Sequence, residues 1–375
     1  MKTINAKIRG YGLSFFWLFA TYLLSPVLYL QILLRRKKES LNPKILIIQI
    51  GKIGDMVCTT PIFREIKKKF PQSRLSVIII PRSKDILKNN PHIDQTILIT
   101  DYPNFADKFR LINKLRKERY DWALCLDIAG AFLNALAFWS LIPDRITMTY
   151  KYAGEIMRSL FVFSNHRLEY KRGTSVLNHR LSLLKFMGID QASGEKEIFI
   201  TQEEEKKASD FLKKRNLERS DLLIGISCTS MLEFRQWGLE KFAALADMLI
   251  EKLNAKIVFI GAAGDFAKNE KTRKMMRHHS VNASGEFELS ELPAFLKNLK
   301  LFISMDTGPI YIANTVGVPV VDIVGPDDIR EQGPSGPNVG LVRKNIDCAP
   351  CSLVFSGIRY CKKGHLRCVK EITPK

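Results

Sequence analysis

Leu301-Phe302-Ile303-Ser304-Met305-Asp306-Thr307-Gly308-Pro309, followed by Gly317-Val318-Pro319 and the strand-like run Val320–Gly325, decides how this chain folds. The first five residues read as a strand buried on both faces. Pro309 falls in the first turn of the helix that follows, where proline is tolerated, and Gly317 falls where that helix ends. A second buried strand then begins at Val320. The backbone N–H groups of Thr307 and Gly308 therefore sit at a helix N-terminus, a place suited to a phosphate, and Gly308 adds no side chain to hold a ligand away. Asp306 lies at the carboxyl end of its strand, where parallel α/β sheets bind ligands. A carboxylate beside a phosphate repels it, so Asp306 is better placed for the hydroxyls of a group attached to the phosphate. A phosphate-linked sugar fits.

The same punctuation runs outward in both directions. Lys44–Ile50 is a continuous apolar run ended by Gly51, and strand-like segments at Leu75–Ile80, Gln95–Ile99 and Trp122–Asp127 alternate with helix-like ones at Pro61–Phe70 and Phe105–Arg119. Tyr150–Arg180 is less regular and leads to a helix at Val176–Met187. After the charged stretch Glu203–Asp221 the alternation restarts with strand Leu222–Ser227, helix Leu239–Leu253, strand Lys256–Ile260 and helix Leu289–Leu299. Two successive βα sets predict an α/β chain of two Rossmann-like parallel-sheet domains facing across a cleft. The expected division is an N-terminal hydrophobic segment and basic linker over 1–40, one domain over 41–200, a second over 201–345 and a cysteine-rich tail over 346–375.

The 375 residues carry a formal net charge of +20 and 46% hydrophobic residues. That balance suits a polyanionic partner: nucleic acid, an anionic membrane face or an acidic glycolipid. The lysines and arginines are scattered, and neither an RNP-like aromatic signature nor a recognition-helix pattern accompanies them, which argues against nucleic acid. Gly10–Leu34 contains no charged residue and as a helix would extend about 37 Å, enough to cross a bilayer. Lys2, Lys7 and Arg9 precede it and Arg35-Arg36-Lys37-Lys38 follow. The basic cluster and the lack of a small-residue cleavage site argue against a cleaved signal peptide. A membrane anchor is expected, and Pro26 leaves a span, a hairpin and an in-plane helix open.

Three further loops carry chemistry. Gly51-Lys52-Ile53-Gly54-Asp55, ahead of Thr59-Thr60-Pro61, matches neither the dinucleotide fingerprint nor the P-loop. On this pattern alone, an aspartate capping the next helix is the stronger reading of Asp55. Ser227-Cys228-Thr229-Ser230 and Arg235-Gln236-Trp237 offer hydroxyls and a guanidinium, which suit a pyrophosphate; an ordinary polar loop is an equal reading. Gly261-Ala262-Ala263-Gly264-Asp265 puts an acid after a strand, where it serves ribose hydroxyls or a solvent-exposed turn.

Taken together, the Gly54-Asp55 loop with Thr59-Thr60-Pro61, the Arg235-Gln236-Trp237 element, and Asp306-Thr307-Gly308-Pro309 with Gly317-Val318-Pro319 resemble the lipopolysaccharide heptosyltransferases, glycosyltransferase family 9. The resemblance runs from about Lys44 to the C-terminus. It implies a GT-B fold and an inverting, metal-independent enzyme that moves a sugar, heptose from ADP-heptose, onto a lipopolysaccharide-core-type glycolipid. By the same resemblance Asp55 is the general base, Thr229, Ser230 and Arg235 hold the diphosphate, and Thr307 and Gly308 add backbone donors. Asp306 then binds sugar hydroxyls, Asp265 the ribose and the backbone near Phe287 the adenine edge. The resemblance also implies catalytic domains on the cytoplasmic side of the inner membrane. The chain departs from the family pattern at Tyr311, where His is frequent, at Arg235, where Lys is common, and in its N-terminal hydrophobic segment. A related transferase using another nucleotide sugar, or a non-catalytic two-domain binding protein, are the alternatives. On the acceptor side Lys52, Lys171 and Arg172, together with the basic helix near Lys108–Arg119, are the candidates for acidic groups or anionic lipid, although such charges most often form a solvated face.

Four of the seven cysteines gather at the C-terminus as Cys348-x2-Cys351-x9-Cys361-x6-Cys368. The spacing is compatible with a four-thiolate structural zinc site, and reduced thiols are an equal reading. Catalysis is expected to need no cofactor. The six histidines show no metal-ligand spacing.

Overall fold

The computed structural model describes residues 2–35, 41–100, 103–127 and 130–374; for residues 2–13 only the backbone is described. The basic linker at Arg36-Lys37-Lys38 and the side chains of Lys2, Lys7 and Arg9 lie outside the described residues. The chain forms two compact units: Met1–Gly51 with Thr59–Lys84 and Pro91–Glu195, and Lys52–Cys58 with Asp85–Asn90 and Lys196–Lys375.

The first unit is built on a six-stranded sheet of order β3-β2-β1-β4-β5-β6, every neighbouring pair parallel. Its strands are β1 Lys44–Ile48, β2 Arg74–Ile79, β3 Gln95–Leu98, β4 Trp122–Cys125, β5 Asp144–Tyr150 and β6 His166–Tyr170. Ile45, Leu46, Ile47 and Ile48 are all fully buried, as an unbroken apolar run must be when helices cover both faces. Helix Thr60–Lys69 starts with Pro61 in its first turn, and helix Phe105–Glu118 is capped by Asn104, whose side chain accepts from the Asp107 N–H at 2.9 Å. Besides β5, three elements in this unit escape the sequence pattern. The helix Gly130–Trp139 is apolar on every side and so shows no helical period, the helix Glu155–Leu160 is very short, and β6 is an edge strand of alternating exposure.

The N-terminal segment is one continuous helix, Lys2–Arg35, with Pro26 inside it. Proline at 26 cannot supply the N–H that Tyr22 O would normally receive, and the Ser25 hydroxyl donates to that carbonyl instead at 2.8 Å. The hairpin reading of Pro26 therefore does not hold. Trp17, Thr21, Leu28 and Ile32 form a buried stripe at helical spacing. Against it lies the helix Gly130–Trp139. Trp17 meets Phe132 at 4.9 Å and Trp139 at 5.3 Å between ring centroids, Tyr29 meets Phe138 at 4.8 Å, and Trp139 Nε1 donates to Thr21 Oγ1 at 2.8 Å. One face of this helix is thus part of the first unit's core.

The second unit repeats the architecture with strand order β12-β11-β10-β7-β8-β9, again all parallel. The strands are β7 Leu223–Ser227, β8 Lys256–Phe259, β9 Val281–Asn282, β10 Leu301–Met305, β11 Val320–Val324 and β12 Val339–Arg343. Gly225 in the middle of β7 has a packing reason: a Cβ there would lie 2.5 Å from Leu299 Cδ1. The charged stretch, to which the sequence pattern assigned no element, opens with a helix, Gln202–Lys214, whose Thr201–Glu204 capping box starts it and whose Ala208, Phe211 and Leu212 face inward. Dense charge on the outer face hid that apolar stripe. In both sheets the strand order reverses beside the first strand, between β1 and β4 and between β7 and β10, and such switch points are where doubly wound folds bind ligands.

Candidate active site

At the second sheet's switch point, β7 ends in Ser227 and leads to Thr229 and Ser230, while β10 ends in Met305 and leads to Asp306. Thr307 is the N-cap of the helix Gly308–Thr315, with extended backbone (φ −136°, ψ 166°), and its hydroxyl lies 3.0 Å from that of Ser304. The sequence reading is met here in detail: strand, tight turn, and proline in the first turn of a helix.

The short helix Ile53–Val57 packs directly on this helix, and two glycines make the approach feasible. A Cβ on Gly308 would meet Ile53 Cβ at 3.0 Å, and a Cβ on Gly54 would meet the Tyr311 ring at 2.9 Å. These glycines therefore admit the close packing of the two helices. The contact brings Asp55 into the same unit as Asp306. Asp55 Oδ2 accepts from the Lys52 N–H at 2.9 Å, capping its own helix, and Asp55 Oδ1 accepts from Gln332 Nε2 at 3.1 Å. The capping role read from the loop pattern is real, and it leaves the carboxylate aligned with a wider network. Tyr311 Oη donates to Asp306 Oδ1 at 2.7 Å and reaches Gln332 O at 3.4 Å. A run of hydrogen bonds thus links Asp306, Tyr311, Gln332 and Asp55. Gln332 Oε1 is buried with no partner among the described residues, an acceptor left for a donor group.

Acidic groups crowd this region. Burial pushes the Asp306 carboxyl up, and the charge of Asp55 pushes it further, against the Tyr311 hydroxyl and Arg235, which stabilise its anion. Burial and Asp306 hold the Tyr311 phenol well above its ordinary range, so it acts as a donor. Asp322, on β11, is fully buried, neither of its oxygens has a hydrogen-bond partner among the described residues, and burial, with Asp306 and Asp327, raises its carboxyl well above the usual range. Asp327 is raised to about 7, by burial first and by Asp306, with Arg235 and the Ser352 hydroxyl opposing.

Arg235 carries the compensating charge. Its Nη2 donates to Asp327 Oδ1 and to Ser352 Oγ (3.2 Å), while its Nε is buried with no partner among the described residues. Trp237, two residues on, anchors this loop in the core, and its indole N–H donates to Ile372 O at 2.9 Å. Thr229 is buried, and Ser230 is held by its own loop: Oγ accepts from the Leu232 N–H, and its carbonyl accepts from Gln236 Nε2 at 3.1 Å. Asp265 accepts from the Ala262 N–H at 2.9 Å and so closes its own turn. The Phe287 ring stacks on Phe295 (4.6 Å, 19°) and meets Phe211 edge-on, leaving only its backbone for the role expected of it.

Lys52 is exposed at the start of the Asp55 helix. Lys171 and Arg172 are exposed in the first unit, where the Arg172 guanidinium stacks 3.7 Å from the Tyr152 ring and Nε donates to Tyr150 Oη at 2.8 Å. The cysteine-rich tail packs against the loop after β11 through the Ser352 N–H to Pro326 O (2.9 Å) and the Asp328 N–H to Ser352 O (3.0 Å). Cys348, Cys351, Cys361 and Cys368 line one small pocket with His365. The zinc reading gains no support, because among the described residues no group of three or more His, Cys, Asp or Glu is arranged to hold a metal ion.

The sequence reading missed Asp327, Gln332 and Ser352. Asp327 had a signal, since Gly325-Pro326-Asp327 follows the strand next to β10 and sits at the same sheet edge. Gln332 and Ser352 had none, because long irregular segments bring them in.

Two doubly wound parallel sheets, the second presenting a helix N-terminus, an arginine and linked carboxylates at its switch point, define a glycosyltransferase of the GT-B fold. Residues 108–354 match the glycosyltransferase family 9 (heptosyltransferase) family, and the chain belongs to that family. Its relatives include lipopolysaccharide heptosyltransferase 3 of Escherichia coli K12, 25% identical over 287 residues, covering 73% of this chain and 80% of the relative. Among solved structures, a family 9 glycosyltransferase from Veillonella parvula superposes with a TM-score of 0.71 at 23% identity, over 81% of this chain and 87% of the other. An E. coli heptosyltransferase determined with ADP-2-deoxy-2-fluoro heptose gives 0.61 at 17% identity, over 80% and 93%.

Proposed function

We propose that this enzyme transfers heptose from ADP-heptose to a lipopolysaccharide-core-type glycolipid, with inversion and without a catalytic metal, its catalytic units on the cytoplasmic side of the inner membrane. The observation that carries the reading is the hydrogen-bonded run from Asp306 through Tyr311 and Gln332 to Asp55, beside Arg235 and the helix N-terminus at Thr307. The names of the relatives and the donor analogue bound to one of them support the substrate classes.

In this reading the diphosphate lies between the N–H groups of Thr307 and Gly308, the Thr229 and Ser230 hydroxyls and Arg235, which stabilise charge on departing ADP. Asp306 binds sugar hydroxyls and Asp265 those of the ribose. Asp55 takes the proton of the acceptor hydroxyl late, once the oxocarbenium-like carbon has begun to draw on that oxygen. Lys52, Lys171 and Arg172 meet acidic groups of the acceptor.

The test is the melting temperature of the full-length enzyme in detergent with ADP, UDP, GDP or CMP in excess. A ligand at a hundred times its Kd adds about 2.7 kcal/mol. ADP alone is expected to stabilise, and Arg235→Ala to weaken ADP binding roughly ten- to hundredfold, as loss of a charge-assisted contact implies. A response to another nucleotide alone would replace the donor.

Asp327 sets a pH dependence. Below about 7 its carboxyl is protonated and Arg235 is released to the diphosphate; above that, the anion competes for Arg235 and repels the ligand. Binding ADP raises the Asp327 pKa further, so a proton is taken up and Kd grows as pH rises above about 7, by at most about tenfold per pH unit. Calorimetric titration measures it as the difference between wild type and Asp327→Asn: the variant lacks the effect, and the titration of ADP itself, common to both, drops out of the comparison. Equal slopes for the two proteins would contradict the role given to Asp327.

A further inference from the structure

The N-terminal helix has two unlike long faces. Trp17, Thr21, Leu28 and Ile32 are buried on the first unit, whereas Phe19 (70% exposed), Leu23 (64%), Leu30 (58%) and Leu34 (79%) are in the open. The exposed stripe is displaced by two residues from the buried one, about 200° around the helix, and so points directly away from the body. Apolar surface of this extent on a soluble face requires a partner.

The helix is tied to the body from Phe16 to its end. Phe16 meets Phe105 at 4.8 Å between centroids, Tyr22 Oη donates to Ser159 O at 3.0 Å, and at the end Arg35 Nη1 donates to Arg116 O at 3.3 Å. Ser14–Arg35 is long and apolar enough to cross a membrane. Crossing, however, would carry the buried stripe away from the helix Gly130–Trp139 or drag the body into the bilayer. The same ties bring a basic helix alongside, Phe105–Glu118, which exposes Arg110, Lys114 and Lys117. Its acids are paired locally, Asp107 with Arg110 and Glu118 with Lys44 and Arg74. Arg35 adds a further positive charge at the end of the apolar stripe.

We propose that this face is a membrane-docking surface on which the N-terminal helix lies in the plane of one leaflet, its Phe19–Leu34 stripe in the acyl boundary and the neighbouring basic helix on anionic headgroups. Helices of this kind enter a leaflet by roughly 5–10 Å and bind through apolar area and charge together. A second copy of the chain is a poorer occupant, because it would set Arg35, Arg110, Lys114 and Lys117 against their own kind. The inference deepens the membrane location in the function proposed above and is independent of the donor sugar.

The test uses the full-length protein. It is expected to sediment with phosphatidylglycerol-containing vesicles at least tenfold more strongly than with phosphatidylcholine vesicles. Phe19→Glu, Leu23→Glu and Leu30→Glu together are expected to abolish sedimentation while leaving the ADP-induced melting shift unchanged, which separates failure of docking from failure of the site. Lys114→Glu with Lys117→Glu, confined to exposed positions, is expected to remove the preference for anionic lipid. For topology, Thr3→Cys and Ser40→Cys are exposed to a membrane-impermeant maleimide in sealed inside-out vesicles, and the labelled peptides are identified by mass. Labelling at both positions supports an in-plane helix. Protection of one, retained vesicle binding by the triple variant, or a lipid-independent dimer that the triple variant dissociates would each overturn it.

Discussion

Asp55→Ala is expected to lower the rate of sugar transfer by roughly 10²–10⁴-fold, the range typical of a lost general base, with ADP affinity within about threefold of wild type. Part of any effect must be structural, because Asp55 caps the helix Ile53–Val57 through the Lys52 N–H, and removing a cap costs about 1 kcal/mol. Asp55→Asn retains a capping oxygen and an amide of the same shape, and removes the basicity. If Asn is as inactive as Ala at an unchanged melting temperature, the loss is chemical. Near-normal turnover by Asp55→Asn would remove Asp55 from the role of base. Gln332→Ala offers an internal comparison: it takes away the donor to Asp55 Oδ1 and should slow transfer less than loss of the carboxylate itself.

Removal of residues 1–40 is expected to have the largest effect on stability. A detachable anchor would leave the body intact, but this helix contributes Trp17, Leu28 and Ile32 to the core and covers Phe132, Phe138 and Trp139. Each fully buried large side chain is worth about 1.5–3 kcal/mol, so losing three approaches the whole stability of a domain, roughly 5–15 kcal/mol. The truncated chain should be insoluble or melt more than about 10 °C below the full chain in the same detergent. An unchanged melting temperature would mean that the helix is dispensable to the fold.

Legibility in the sequence followed physical periodicity. Strands β1, β2, β7, β10 and β11 are short runs dominated by apolar residues, and they were readable because both faces are buried. The Asp306–Pro309 turn was readable because proline and glycine each fit few backbone positions. The helix Gly130–Trp139 was not, since uniform burial erases its period, and the helix Gln202–Lys214 was masked by its charged outer face. Within the site, Asp55, Arg235 and Asp306 came from loops next to strands or from resemblance. Gln332 and Ser352 arrive through long-range contacts that no local pattern encodes. The N-terminal helix is the sharpest case: its composition gives an apolar segment, and only tertiary contacts divide it into a buried and an exposed face.

The most direct test of the central claim is transfer itself. Full-length enzyme in detergent is incubated with ADP-heptose and a lipopolysaccharide core acceptor lacking its outer heptose, and the glycolipid is weighed by mass spectrometry. A mass increase of one heptosyl residue, absent with Asp55→Asn, is the result this account predicts. An unchanged acceptor with ADP-heptose, together with transfer from a different nucleotide sugar, would contradict it.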